Sequence, residues 1–157
     1  MVGSMNPSTE EKALIAEALE TCACLGLRKT SRAVTRRFDT ILDPSSLRST
    51  QVVILLELAH NGTMTLSQLA DAMFMEKSSM SRMVKTLADR GYISIEYSGG
   101  KRYASYTLEP EGLEAIRNVV PYWMKAQQEF IDALGENDWK DIREALLAAA
   151  KTMAGKS

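Results

Sequence analysis

Hydrophobic positions recur with a helical period over most of this chain and alternate with a period of two only between residues 93 and 108. Asn6-Pro7-Ser8 opens the first helical pattern. Ser8-x-x-Glu11 is a capping box: the serine accepts from the backbone and the glutamate reaches back to it. The pattern predicts one long helix to about Leu42, with Leu27, Val34, Phe38 and Ile41 on one side, ended by Asp43-Pro44-Ser45-Ser46. Its upstream half, with Leu14, Ile15, Leu19 and Cys22, offers more apolar surface than a small globule needs for its own core. From about Ser49 to His60 the apolar residues lie on nearly every side, which predicts a central buried helix stopped at Asn61-Gly62. Thr63-Met64 could add a short strand.

Thr65-x-x-Gln68 is a second capping box, and Leu66, Leu69, Ala70 and Met73 follow at helical spacing. Phe74-Met75-Glu76 leaves room only for a turn. The next helix starts near Lys77 with Met80, Met83, Val84 and Leu87 on its apolar side, and it stops at Gly91. Two alternating runs come next. Ile93, Ile95 and Tyr97 share one strand face, and Ala104, Tyr106 and Leu108 share one on the return, around a tip of Ser98-Gly99-Gly100-Lys101. Helix, turn, helix and hairpin in this order predict a winged helix-turn-helix lobe, whose second helix can enter the DNA major groove.

After the hairpin, Glu109-Pro110 opens a further helix. Its seam is Leu113, Ile116, Val120, Trp123, Gln127, Phe130 and Leu134, a heptad pattern broken by one glutamine. Pro121 should kink this helix or open a gap in its hydrogen-bond ladder. Gly135 ends it, Asn137-Asp138 caps the last helix, and Trp139, Ile142, Leu146, Ala149 and Met153 form that helix's seam. The fold class expected is mainly α with a small β-hairpin wing. Residues 1–5 are read as a cloning remnant and start, 6–44 as an N-terminal dimerisation helix, 45–109 as the winged lobe, and 110–157 as C-terminal dimerisation helices. The seams could pack on the parent lobe, but together the two ends carry more apolar helix than the lobe can bury, which favours a homodimer.

Charge sharpens the picture. The chain has a net charge of −1, yet Lys77 to Arg102 holds six cations (Lys77, Arg82, Lys85, Arg90, Lys101, Arg102) against Asp89 and Glu96, a local net of +4. A focused basic patch on an otherwise acidic chain is an electrostatic footprint for nucleic acid. Ser78, Ser79 and Ser81 are slender enough to let the helix approach base edges, Arg82 can read them, and Lys77, Lys85, Lys101 and Arg102 can meet phosphate. A solvated helix face beside an ordinary hairpin would share part of this pattern; capping, glycine stop and basic tip in one order favour double-stranded DNA. Leu, Ala and Met dominate, aromatic residues are few, and no apolar run reaches the length of a membrane span, so the expected compartment is the cytoplasm. Two cysteines are too few for a disulfide scaffold.

The order of elements, with Leu47-x-x-Thr50-Gln51 opening the buried helix and Leu108-x-x-Glu111-Gly112 following the hairpin, resembles the MarR (multiple-antibiotic-resistance regulator) family of bacterial and archaeal transcription regulators. The resemblance covers about Cys22 to Met153. It implies a homodimer on a pseudo-palindromic operator, usually a repressor, that lets go of DNA when a small ligand or oxidant acts on it. It places Ser78, Ser79, Ser81, Arg82 and Lys85 on the recognition helix and Arg102 at the wing arginine. The wing reads Gly100-Lys101-Arg102 where the family usually has Asp-Arg-Arg, Glu109 stands in place of a threonine, and Ser46 in place of a glycine.

For other chemistry the candidates are few. Two residues apart on one helix, Cys22 and Cys24 would point about 200° away from each other, so they could neither chelate one metal nor bond each other. With His60 the sole histidine, no metal site and no cofactor is expected. Cys24 falls near the reactive cysteine of the family's organic-hydroperoxide sensors, and Arg28 and Arg32 lie one and two turns on, where they would favour a thiolate. Small buried hydrophobes are the favoured reading of both thiols, and the tyrosines that steady a reactive thiol are replaced by Phe38 and Ser49. A small-molecule pocket is expected where the long first helix, the buried helix and the Pro121 kink meet the winged lobe, with Arg28, Arg32, His60, Tyr122 and Trp123 as candidate contributors; a surface pair is the favoured reading of each arginine. The chain holds no glycine-rich phosphate loop, nucleophile motif or suggestive carboxylate pair, so an enzyme is not expected. A dimeric protein-interaction module that keeps the fold without gripping DNA is the other live class.

Overall fold

The computed structural model of the protein describes residues 6–99 and 103–155. It divides into two compact units, Met1–Arg36 and Arg37–Ser157. Within the first, helix α1 spans Thr9–Thr21 and helix α2 begins at Ala23 and runs to Leu42. The Ser8–Glu11 capping box is present. The Ser8 backbone N–H donates to the Glu11 carboxylate at 2.6 Å, and this bond, with the Ser8 hydroxyl, holds that carboxyl below its usual range.

The single long helix expected up to Leu42 is therefore two. Cys22 is extended (φ −68°, ψ 104°) and ends α1. Its sulfur accepts the Leu25 N–H at 3.4 Å, so the same residue caps the start of α2. The Thr21 hydroxyl bonds back to the Glu17 carbonyl at 2.9 Å, a contact that bends helices, and neither threonine nor cysteine favours helix. Gly26, the residue that looked weakest, stays helical. No residue of α1 is buried.

The second unit opens with the end of α2, a 3-10 turn at Asp43–Ser45, and helix α3 at Ser49–Asn61. Val52, Ile54, Leu55 and Leu58 of α3 are buried, as the all-round apolar pattern predicts. The start of α3 is capped from elsewhere: Asp39 on α2 accepts the Ser49 N–H at 2.7 Å, and the Gln51 side chain accepts that of Arg48 at 3.0 Å. Strand β1 (Met64–Thr65) leads into helix α4 (Leu66–Ala72), then helix α5 (Lys77–Asp89), strand β2 (Ile93–Ser98) and strand β3 (Tyr103–Leu108). The sheet is antiparallel in the order β1-β3-β2. Ile93 faces Leu108, Ile95 faces Tyr106 and Tyr97 faces Ala104, which is the face sharing that alternation predicts. Of the expected tip, Ser98 and Gly99 (φ 61°) are described, while Gly100 and Lys101 lie outside the described residues.

Helices α4 and α5 end in the same way. At each, the residue after the cap is left-handed and the two following N–H groups return to the last turn, the Schellman arrangement. After α5 these bonds run from Gly91 to Ala88 (2.9 Å) and from Tyr92 to Leu87 (3.0 Å). After α4 they run from Phe74 to Asp71 (3.2 Å) and from Met75 to Ala70 (2.8 Å). The left-handed residue is Gly91 in one case and Phe74 (φ 50°) in the other, and the Phe74 ring is 56% exposed. A bulky side chain in this region is strained by roughly 1 kcal/mol or more, and the exposed ring recovers little by burial. Phe74→Gly is accordingly expected to raise stability by about 0.5–1 kcal/mol, read as a higher urea midpoint. A lower midpoint would mean that the ring packs more than its exposure implies.

Helix α6 runs from Pro110 to Leu134 and helix α7 from Glu136 to Ala154, with Gly135 (φ 92°) between them. Thus α7 begins before Asn137-Asp138, because Gly135 serves as cap to both helices. Pro121 lies inside α6 without ending it, and its missing N–H leaves the Arg117 carbonyl without a helical partner. The inward face of α6 is Gly112, Ile116, Val119 and Ala126, with Trp123 and Phe130 half-buried; Trp123 meets Phe38 edge-on at 5.1 Å and Phe130 meets Trp139 at 4.9 Å. Leu113, Val120 and Leu134 stay exposed. The expected seam thus mixes two apolar faces, one packed on its own unit and one outward. The core of this unit is completed by Leu42, Leu69, Met80, Val84 and Leu87.

Candidate nucleic-acid interface

Helix α5 carries the predicted contacts. Met80, Val84 and Leu87 are buried and Met83 is half-buried, which fixes the helix's rotation. The opposite face then presents Lys77, Ser78, Ser81, Arg82 and Lys85 to solvent. Ser78, Ser81, Lys77 and Lys85 make no hydrogen bond or ion pair among the described residues, so their polar atoms are free for a ligand. Ser79 differs: it is half-buried and its hydroxyl accepts from Arg82 Nη2 at 3.2 Å. Lys101 and Arg102, the predicted wing cations, lie outside the described residues.

Arg90 belonged to the same basic cluster by sequence, and the fold employs it otherwise. Its Nη1 donates to the Ser46 carbonyl at 2.8 Å, its Nη2 donates to the Tyr92 hydroxyl at 3.1 Å, and its guanidinium lies 4.8 Å from the Tyr92 ring centroid. It braces the end of α5 rather than adding to the open cationic face. Ser46, at the place where the family has glycine, is itself left-handed (φ 57°). No short-range sequence signal marks Arg90, since its partners are set by tertiary structure. On the wing, burial raises the Tyr106 phenol above the ordinary tyrosine value, with Tyr97 adding to the effect.

The remaining candidates are placed as follows. Cys22 and Cys24 are both exposed in the single chain, and they do not share one helix, so the angle argued from a continuous helix does not apply. Arg28 Nη2 stands 4.0 Å from Cys24 Sγ. Arg28 and Arg32 are exposed in the first unit. In the second, His60 and Tyr122 are exposed and Trp123 packs on Phe38. None of these five lines either of two described clefts. One, about 540 Å³, is formed by Asn6, Pro7, Leu14 and Ile15 at the start of α1. The other, about 710 Å³, lies between Phe74, Met75 and Glu76 and the end of α7 at Ala150 and Met153. Among the described residues no group of three or more His, Cys, Asp or Glu side chains is placed to hold a metal ion.

Residues 47–96 match the MarR family model, a span that takes in α3, the helix-turn-helix and the first strand of the wing. The winged lobe is similar to the MarR family over that span. Transcriptional regulators with solved structures share the architecture. MosR of M. tuberculosis superposes with a TM-score of 0.78 at 24% identity over 88% of this chain and 99% of that one. The same regulator in complex with DNA gives 0.77 at 25% identity over 85% and 97%. AbsC, a MarR family transcriptional regulator from Streptomyces coelicolor, gives 0.69 at 24% over 96% and 98%. PcaV from Streptomyces coelicolor, solved in complex with its natural ligand, gives 0.74 at 18% over 85% and 94%. No protein of curated function matches the chain by sequence. MarR-family proteins are DNA-binding regulators of transcription, not enzymes. Among the described residues no helix is long and apolar enough to cross a membrane.

Proposed function

We propose that the chain is a homodimeric transcriptional repressor that holds a pseudo-palindromic operator through helix α5 and the wing and is released by a small effector. The observation that carries the DNA reading is α5 itself: one side buried to Met80, Val84 and Leu87, the other a slender, exposed row of Ser78, Ser81, Arg82 and Lys85. Lys77, Lys85, Lys101 and Arg102 supply phosphate contacts; Ser78, Ser81 and Arg82 supply base contacts. The homologous fold of MosR, solved with DNA, supports this partner.

Dimerisation is supported by apolar surface that the single chain leaves open: Leu14, Ile15 and Leu19 on α1, Leu113, Val120 and Leu134 on α6, and Ile142, Leu146 and Leu147 on α7. A two-fold dimer sets two recognition helices about one DNA turn apart. An effector then acts by favouring a dimer whose recognition helices no longer match that spacing. PcaV, solved in complex with its natural ligand, supports a ligand-binding reading of this architecture. A thiol-based reading is favoured by one observation, the exposed Cys24 with a guanidinium beside its sulfur. Arg28, Arg32, His60, Tyr122 and Trp123 remain the residues to vary in search of an effector site. The compartment consistent with this role is the cytoplasm.

Selection from a random duplex library tests the reading. An enriched pseudo-palindrome establishes the regulator; enrichment of nothing sends the search to a protein partner. Arg82→Ala is expected to weaken binding to the selected site by about 1–3 kcal/mol and to relax preference at one or two base positions. Equal sequence preference in variant and parent would remove Arg82 from base reading.

A further inference from the structure

Three serines precede or flank Arg82 on α5, and the structure separates them. Ser78 and Ser81 are exposed with free hydroxyls; Ser79 is half-buried with its hydroxyl accepting from Arg82 Nη2 at 3.2 Å. Ser79 lies one turn before Arg82, at the third position of a helix that begins at Lys77. Side chains on a helix lean toward its N-terminus, so the guanidinium reaches back over this turn. In a helix-turn-helix protein the N-terminal turn of the recognition helix is the part that meets base edges.

We infer that Ser79 is a positioning residue for Arg82 and does not read a base of its own. This inference rests on the regulator reading above. On the other flank of Arg82 the Thr86 hydroxyl is engaged elsewhere, donating to the Arg82 backbone carbonyl at 3.0 Å. A guanidinium has five N–H donors. One given to Ser79 leaves enough for a bidentate contact to the two acceptors of a guanine edge, the pairing arginine prefers. The bond also removes rotamer freedom from a long exposed side chain before DNA arrives, which is the cost of association that preorganisation lowers. Ser79 therefore acts on discrimination at the position that Arg82 reads.

The test compares the parent protein with Ser79→Ala, Ser79→Thr, Arg82→Ala and the double variant against the selected operator and its single-base substitutions. Ser79→Ala is expected to lose roughly three- to tenfold of the discrimination, at the same base positions that Arg82→Ala affects. The double variant should be no worse than Arg82→Ala, and Ser79→Thr, which keeps the hydroxyl, should restore discrimination. Loss at a different base position, or losses that multiply in the double variant, would overturn the inference and make Ser79 a reader. Unchanged discrimination in Ser79→Ala would overturn it too. Failure of the parent to prefer any sequence is a separate result and sinks the regulator reading itself.

Discussion

Gly112→Ala is expected to lower the stability of the winged lobe by about 3 kcal/mol, a large part of what a domain of this size has in reserve. A Cβ on Gly112 would stand 2.2 Å from the Tyr92 carbonyl oxygen and 2.7 Å from Leu108 Cδ1. The leucine could turn aside. The carbonyl cannot, because it also accepts the Glu109 N–H at 3.0 Å and so ties the start of β2 to the cap of α6. The added methyl must push α6 off the sheet or break that bond. The urea midpoint should fall with an unchanged slope. Gly26→Ala is the control: nothing lies within 4 Å of its Cβ position and the residue is helical, so that change should stabilise by about 0.5–1 kcal/mol. If Gly112→Ala matched the parent to within about 0.5 kcal/mol, the close approach of α6 to Tyr92 would be wrong.

Raising salt from about 50 to 200 mM is expected to weaken operator binding by roughly 10⁴-fold. Four cations per protomer (Lys77, Lys85, Lys101, Arg102) make eight in a dimer. Each released counterion contributes about −0.9 to the slope of log affinity against log salt, for a total near −7. Lys85→Ala removes one contact per protomer and should make the slope shallower by about 2 while leaving the preferred sequence intact. Arg90 is left out of this count because its guanidinium is already held by Ser46 and Tyr92. A parent slope of about −2 or shallower would mean that α5 and the wing do not meet the phosphate backbone together.

The winged lobe was legible because its signals are local. The Thr65–Gln68 box, the turn before Lys77, the stop at Gly91 and the pairing of Ile95 with Tyr106 all rest on residues a few positions apart, or on strict alternation. What escaped was tertiary. Asp39 caps a helix ten residues away, Arg90 joins the end of α5 to Ser46, and Phe74 occupies a left-handed site that composition assigns to glycine. The seam of α6 was misjudged by mixing residues of two faces, because that helix is apolar on both. The break at Cys22 had no glycine or proline to announce it. At the interface, sequence could nominate Ser78, Ser79, Ser81 and Arg82 together, and only side-chain placement divides them into free and committed groups.

The short turn between α2 and α3 is held from both sides. Asp39 closes on the Ser49 amide from α2, and Arg90 closes on the Ser46 carbonyl from the end of α5. The turn also closes on itself, the Ser46 N–H donating to the Asp43 carbonyl at 2.9 Å and the Leu47 N–H to the Ser45 hydroxyl at 3.2 Å. Amide hydrogens here should therefore exchange with solvent as one cooperative group rather than residue by residue. Through these two bonds the end of α2, the turn and the end of α5 form a single hinge pin.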